Sequence, residues 1–187
     1  MAIILPLFSY PSMQEASVSM IRMKMLWNIF ASHFDQFQRM RYTKMEKLFI
    51  YAILYSVGYD VWKMYEAELD KLFLDDIEND EYLTLEGMSP KEAVLHTFSL
   101  MQMQPINHNV FGKELMIAIK PIYESCDIRD FGNRMYKLWQ RLPNSIEYGE
   151  DPFFVFCYAD DCLSYGDEKQ CRDLYEGALA YYDEMIL

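Results

Sequence analysis

Four pairs stand at the head of an apolar stripe with a Ser, Thr or Asp three residues before a Glu or Gln: Ser12 and Glu15, Thr43 and Glu46, Ser89 and Glu92, Asp167 and Gln170. At that spacing each side chain reaches the other residue's exposed backbone N–H, so each pair marks the first turn of a helix. Apolar residues at helical spacing follow every pair. Ser12 opens a helix to about Phe34 with the stripe Ala16, Met20, Met23, Trp27, Phe30 and Phe34. Thr43 opens a second, with Met45, Leu48, Phe49, Ala52 and Ile53 inward and Gly58 as its stop. Ser89, Pro90 and Glu92 combine a cap, a first-turn proline and a third-position carboxylate, which predicts a helix to about Met103, ended by Pro105. Asp167 opens the last, with Cys171, Leu174, Tyr175, Ala178, Tyr182 and Met185 on one stripe.

The intervals fill with elements of the same kind. Asp60 is the expected cap of a helix carrying Trp62, Tyr65, Leu69, Leu72 and Phe73, which ends in the acidic run Asp75 to Glu81. Residues 79 to 88 read as the longest surface loop, where Tyr82, Leu83 and Leu85 around Thr84 also admit a minor strand. After a loop from Ile106 to Asn109, Lys113 to Ser125 reads as a helix bent at Pro121, or as two shorter pieces. Asp127 caps an amphipathic helix with Phe131, Met135, Leu138 and Leu142 on one stripe, Arg134, Lys137 and Arg141 on the other, and Pro143 at its close. Asn144 to Asp151 is the best lobe boundary, Pro152 takes a first-turn position, and Phe153 to Tyr158 is read as helix over buried strand. The expectation is an all-α compact bundle of about seven or eight helices in one domain, 1 to 187, with two small lobes as the variant.

A chain of 187 residues buries about 70% of its unfolded surface in one core. With 52% hydrophobic and 16% aromatic residues it is globular rather than disordered. Cys126, Cys157, Cys162 and Cys171 form no CxxC pair and read as reduced thiols. The apolar start, Met1 to Phe8, has no basic flank and is broken by Pro6. No apolar run is long enough to span a membrane, because Arg22, Lys24 and Asp35 interrupt the best candidate. A cytoplasmic protein is expected.

One echo joins distant segments. Gly58 precedes Met64-Tyr65-Glu66-Ala67-Glu68-Leu69, and Gly166 precedes Leu174-Tyr175-Glu176-Gly177-Ala178-Leu179. Helix pairs turned at a small residue are how helical repeats stack, but two occurrences make no period.

No catalytic motif emerges. His33, His96 and His108 share no metal-ligand spacing, Glu92 and His96 are only an i,i+4 pair, and neither Cys157 nor Cys162 has a histidine nearby in sequence. Asp160 and Asp161 beside Cys162 work against a reactive thiolate. In the run from Asp75, a calcium register starting at Asp76 places Glu81 where glycine is needed and Gly87 where glutamate is needed. Gly112-Lys113 lacks the rest of a phosphate loop. Neither metal nor cofactor is expected.

Charge remains. Residues 1–63 carry seven Lys/Arg against four Asp/Glu, 64–100 two against ten, 101–142 six against four, and 143–187 two against eleven, for a net −12. This segregation suits a basic partner and disfavours direct nucleic-acid binding. The expected acidic contacts are Asp75, Asp76, Glu78, Asp80 and Glu81 in one block and Asp160, Asp161, Asp167 and Glu168 in the other. Met23, Met25 and Trp27 fall on different faces of the first helix, an expected apolar interface for a homodimer or partner. The leading reading is a non-enzymatic acidic helical protein that blocks a basic surface of another macromolecule. Such a protein acts as an inhibitor or immunity protein of a nucleic-acid-handling enzyme such as a nuclease, in the style of anti-CRISPR and anti-restriction inhibitors. The alternatives are a helical adaptor that binds a peptide or protein, and a metal-dependent enzyme whose site is assembled from separate helices.

Overall fold

The computed structural model describes residues 45–104, 106–147 and 149–183, all within the compact unit Arg41–Leu187. The helix expected from Ser12 to Phe34, its interface residues Met23, Met25 and Trp27, the Thr43 cap and Pro105 lie outside them. Eight helices and no strand occur among the described residues: α1 (Glu46–Ser56), α2 (Trp62–Asp75), α3 (Asp80–Glu86), α4 (Pro90–Met103), α5 (His108–Ser125), α6 (Ile128–Trp139), α7 (Val155–Ser164) and α8 (Glu168–Ala180). The chain is all-α as its punctuation implies. No described helix is long and apolar enough to cross a membrane.

The centre of this unit is α1. Leu48, Phe49, Ile50, Ala52, Ile53 and Leu54 are all buried, so the helix is covered on nearly every side instead of along one stripe. It packs against α2, α4 and α5. Helix α5 then meets α6 and α8, α6 packs on α7, and α7 on α8, with residues 144–151 as the turn-rich link from α6 to α7. Aromatic rings fill that second group: Phe131 meets Tyr175 edge-on at 4.9 Å, and Phe153, Phe156 and Phe111 continue the layer. Each such ring or branched side chain, fully buried, contributes about 1.5–3 kcal/mol.

Capping explains most boundaries. The Asp127 carboxylate accepts from the N–H groups of Arg129 and Asp130, and Asp167 accepts from Gln170 at 2.9 Å. Glu92 reaches back to the Ser89 N–H at 3.1 Å. Four expectations are corrected. The stretch 79–88 is neither loop nor strand, because the Asn79 side chain accepts from the Glu81 N–H and starts α3. Asp60 is not a cap, since the residue before α2 is Val61 and no side chain caps that end. Helix α5 begins at His108, five residues before Lys113, because Asn107 accepts from Asn109 and Val110. It continues through Pro121 to Ser125, and Pro152 stands in the turn before α7.

Gly58 and Gly166 are the described residues with positive φ, at +94° and +82°. Each closes a helix with the same pair of bonds. Tyr59 N–H donates to Leu54 O and Gly58 N–H to Tyr55 O; Asp167 N–H donates to Cys162 O and Gly166 N–H to Leu163 O. The echo is therefore one of turn geometry. Its tyrosines fall out of register, seven residues after one glycine and nine after the other, although Tyr65 and Tyr175 are both fully buried.

Candidate functional site

Helix α2 places Trp62, Tyr65 and Leu69 on one line and Glu66 and Asp70 beside it, because spacings of three and four residues share a helix face. On an isolated helix this would be an apolar stripe with an acidic flank. Here α3 and the start of α4 stand opposite and turn the stripe into a groove of about 480 Å³, whose far side is Leu85, Glu86, Met88 and Pro90. The volume lies in the range of ligand sites, about 300–1,000 Å³.

The floor is held firmly. The Tyr65 hydroxyl is hydrogen-bonded to Thr97 Oγ1 at 2.8 Å, a buried tie from α2 to α4. Burial pushes that phenol's pKa up, and the bond to Thr97 opposes the shift. The ring of Trp62 stacks on Tyr65 at 4.7 Å and leans on Tyr55 at 5.4 Å, so the half-buried indole is fixed between them. At the rim, Glu66, Asp70 and Glu86 are exposed. None of the three joins a salt bridge among the described residues, and none of the nine lining residues is cationic.

The acids singled out from the sequence are distributed differently. Asp75 is the last residue of α2 and Asp76 its C-cap, while Glu78 is exposed between helices. Asp80 and Glu81 sit in the first turn of α3, where carboxylates favour the positive end of the helix dipole. Glu81 also meets His96 Nε2 at 2.9 Å, so His96 bridges α4 to α3 and does not pair with Glu92. Asp160 and Asp161 lie on α7, Asp167 caps α8, and Glu168 pairs with Arg129 at 2.7 Å. The first group thus clusters around the α2–α3 turn and the second on the α7–α8 pair, where capping and an ion pair already engage two of its four members.

The basic stripe of α6 is turned to internal use. Arg134 donates to the Gly58 carbonyl, pairs with Asp130 at 3.0 Å and lies 4.8 Å from the centre of the Tyr59 ring. Arg141 donates to the Ser56 carbonyl at 2.7 Å. Arg134 from α6 and Arg141 from just past its end therefore cover the carbonyls of Gly58 and Ser56 where α1 ends. Lys47, in the first turn of α1, pairs with Glu114 at 3.3 Å.

Burial, then Asp161 and Asp160, push the Cys157 thiol up; burial, then Asp167 and Asp161, do the same for Cys162. Burial is also the first cause at Cys171, pushed up to about 11. His108 meets the edge of Phe153 at 4.9 Å. No group of three or more His, Cys, Asp or Glu side chains able to hold a metal comes together among the described residues. Comparison with protein-family models, curated proteins and solved structures returned no match.

Proposed function

We propose that this protein is a non-enzymatic interaction protein whose groove between α2, α3 and α4 receives lysine and arginine side chains of a basic partner. One observation carries the reading: an apolar floor of Trp62, Leu69, Leu85 and Met88 is rimmed by Glu66, Asp70 and Glu86, with no cation among the described residues that line the groove. Long basic side chains have the complementary form, an apolar stem with a cationic head. The stem beds on the floor while the head meets a carboxylate. A partner of this kind is the basic surface of a nucleic-acid-handling enzyme, where carboxylates stand in for phosphates. The inhibitor reading follows from occupancy of such a surface. The adaptor reading shares the groove and differs in taking one extended basic peptide.

The test is a titration of a fluorescent octa-arginine peptide at low and moderate salt. Converting Glu66 and Asp70 together to Lys is expected to weaken binding at least tenfold, while the same conversion of Asp160 and Asp161 has a much smaller effect. Equal losses from the two variants would mean that net charge alone attracts the peptide, and would sink the groove as the contact.

A further inference from the structure

The second cleft of interest lies between α1, α2 and α5, and its floor holds Glu46. This carboxylate is the first residue of α1, yet only 3% of its surface is exposed. The Asn107 backbone N–H, at the start of α5, donates to it, as a third-position carboxylate does in a capping box, but from another helix. The oxygen Oε2, itself almost closed to solvent, accepts no hydrogen bond among the described residues. A buried polar atom left without a partner costs about 1–3 kcal/mol, more for a charged group, so the position calls for a donor.

The surroundings say which donor. The cleft measures about 260 Å³, and Glu114 and Glu68 at its walls are already paired, with Lys47 at 3.3 Å and Lys71 at 2.9 Å. Asp75 adds a further carboxylate from the end of α2, while Leu72 and Val110 provide apolar wall. An ion small enough to enter must bring N–H groups to Glu46 and an apolar tail to Leu72 and Val110.

We infer that this cleft binds a straight-chain primary alkylammonium, its head on Glu46 Oε2 and its chain along Leu72 and Val110. The site is separate from the groove of α2, α3 and α4 and does not depend on that reading. The titratable and charged groups facing Glu46 are Lys47 from its own helix, Glu68, Lys71 and Asp75 from α2, and Glu114 from α5. Burial, with Glu114 as a lesser cause, raises the Glu46 carboxyl to about 7, against the Asn107 bond, which lowers it. Ammonium affinity should therefore rise about tenfold from pH 6 to pH 8, as the carboxylate ionises.

Calorimetric titration of the full chain with n-butylammonium checks this. Saturable one-to-one binding is expected at pH 8, at least tenfold weaker for tetramethylammonium, which has the charge but no N–H. Glu46→Gln should abolish it, and Val110→Trp, which fills the cleft from its exposed rim, should do the same if the first variant folds poorly. The Glu66→Lys, Asp70→Lys protein should bind normally. Nα-acetyl-lysinamide distinguishes a lysine side chain from a free amine as the source, since only the former presents its ammonium on a bulky backbone. No saturable binding of either primary ammonium, or unchanged binding by Glu46→Gln, overturns the inference.

Discussion

Glu46 shows how one residue can hold two functions in tension. Its carboxyl is protonated more readily in the folded chain, at about 7 against an ordinary 4.5, chiefly because burial penalises the charge. Below pH 4.5 it is neutral in both folded and unfolded chains and costs nothing. As pH rises through 7 the folded state must ionise a buried group, so stability falls across that window, by at most about 3 kcal/mol. Glu46→Gln should lose that slope and be the more stable protein at pH 8, with no advantage at pH 4; urea midpoints at the two pH values check it. The sequence marked Glu46 only as the partner of Thr43 in a cap. Its burial was not legible, because it follows from the placement of Asn107, 61 residues later in the chain. The caps at Asp127, Asp167 and Ser89 were legible because their partners lie within three residues.

At the level of elements, the same reasoning separates what the chain announced from what it concealed. Long helices with a regular stripe, α2, α4, α6 and α8, could be read directly. Helix α3 could not, since a seven-residue helix is only two turns long, and Tyr82 and Leu85, its buried residues, are compatible with either period. Missing α3 also hid the groove. Glu66 and Asp70 look like the solvated side of α2 until Leu85, Glu86 and Met88 stand across from them. The glycine turns can be tested at this scale. Gly58→Ala forces an L side chain to φ +94° and brings its Cβ within 3.3 Å of Arg134, so it should cost about 1–2 kcal/mol. Gly177→Ala, in the interior of α8 with open space around it, should instead stabilise by about 0.5–1 kcal/mol. Thermal unfolding of the two variants beside the parent decides both signs.

For the whole molecule the question was whether four blocks of alternating charge persist as poles or cancel. They do some of each. Arg129 with Glu168 joins a basic block to an acidic one, whereas Lys47 with Glu114 and Arg134 with Asp130 lie within the basic blocks, and such exposed pairs contribute only about 0–1 kcal/mol each. The excess of −12 remains, and like charges held close oppose the compact state. Added salt should therefore raise the melting temperature, by roughly 2–6 °C between 0.05 and 0.5 M NaCl, where a chain stabilised mainly by ion pairs would show a fall. Scanning calorimetry across that range gives the sign.

The arginines that close α1 carry a consequence for how the chain is made. Arg134 is 76 residues from Gly58, and Arg141 is 85 from Ser56. A ribosome adding about 5–20 residues per second needs roughly 4–17 s to span that interval. Throughout that time the most apolar helix of the described unit has left the exit tunnel with its final carbonyls open. Its flanks are covered only in stages, as α2, then α4, then α5 emerge. The nascent chain thus passes through a period in which its future centre is its stickiest surface, and the last pieces to arrive are the ones that seal it.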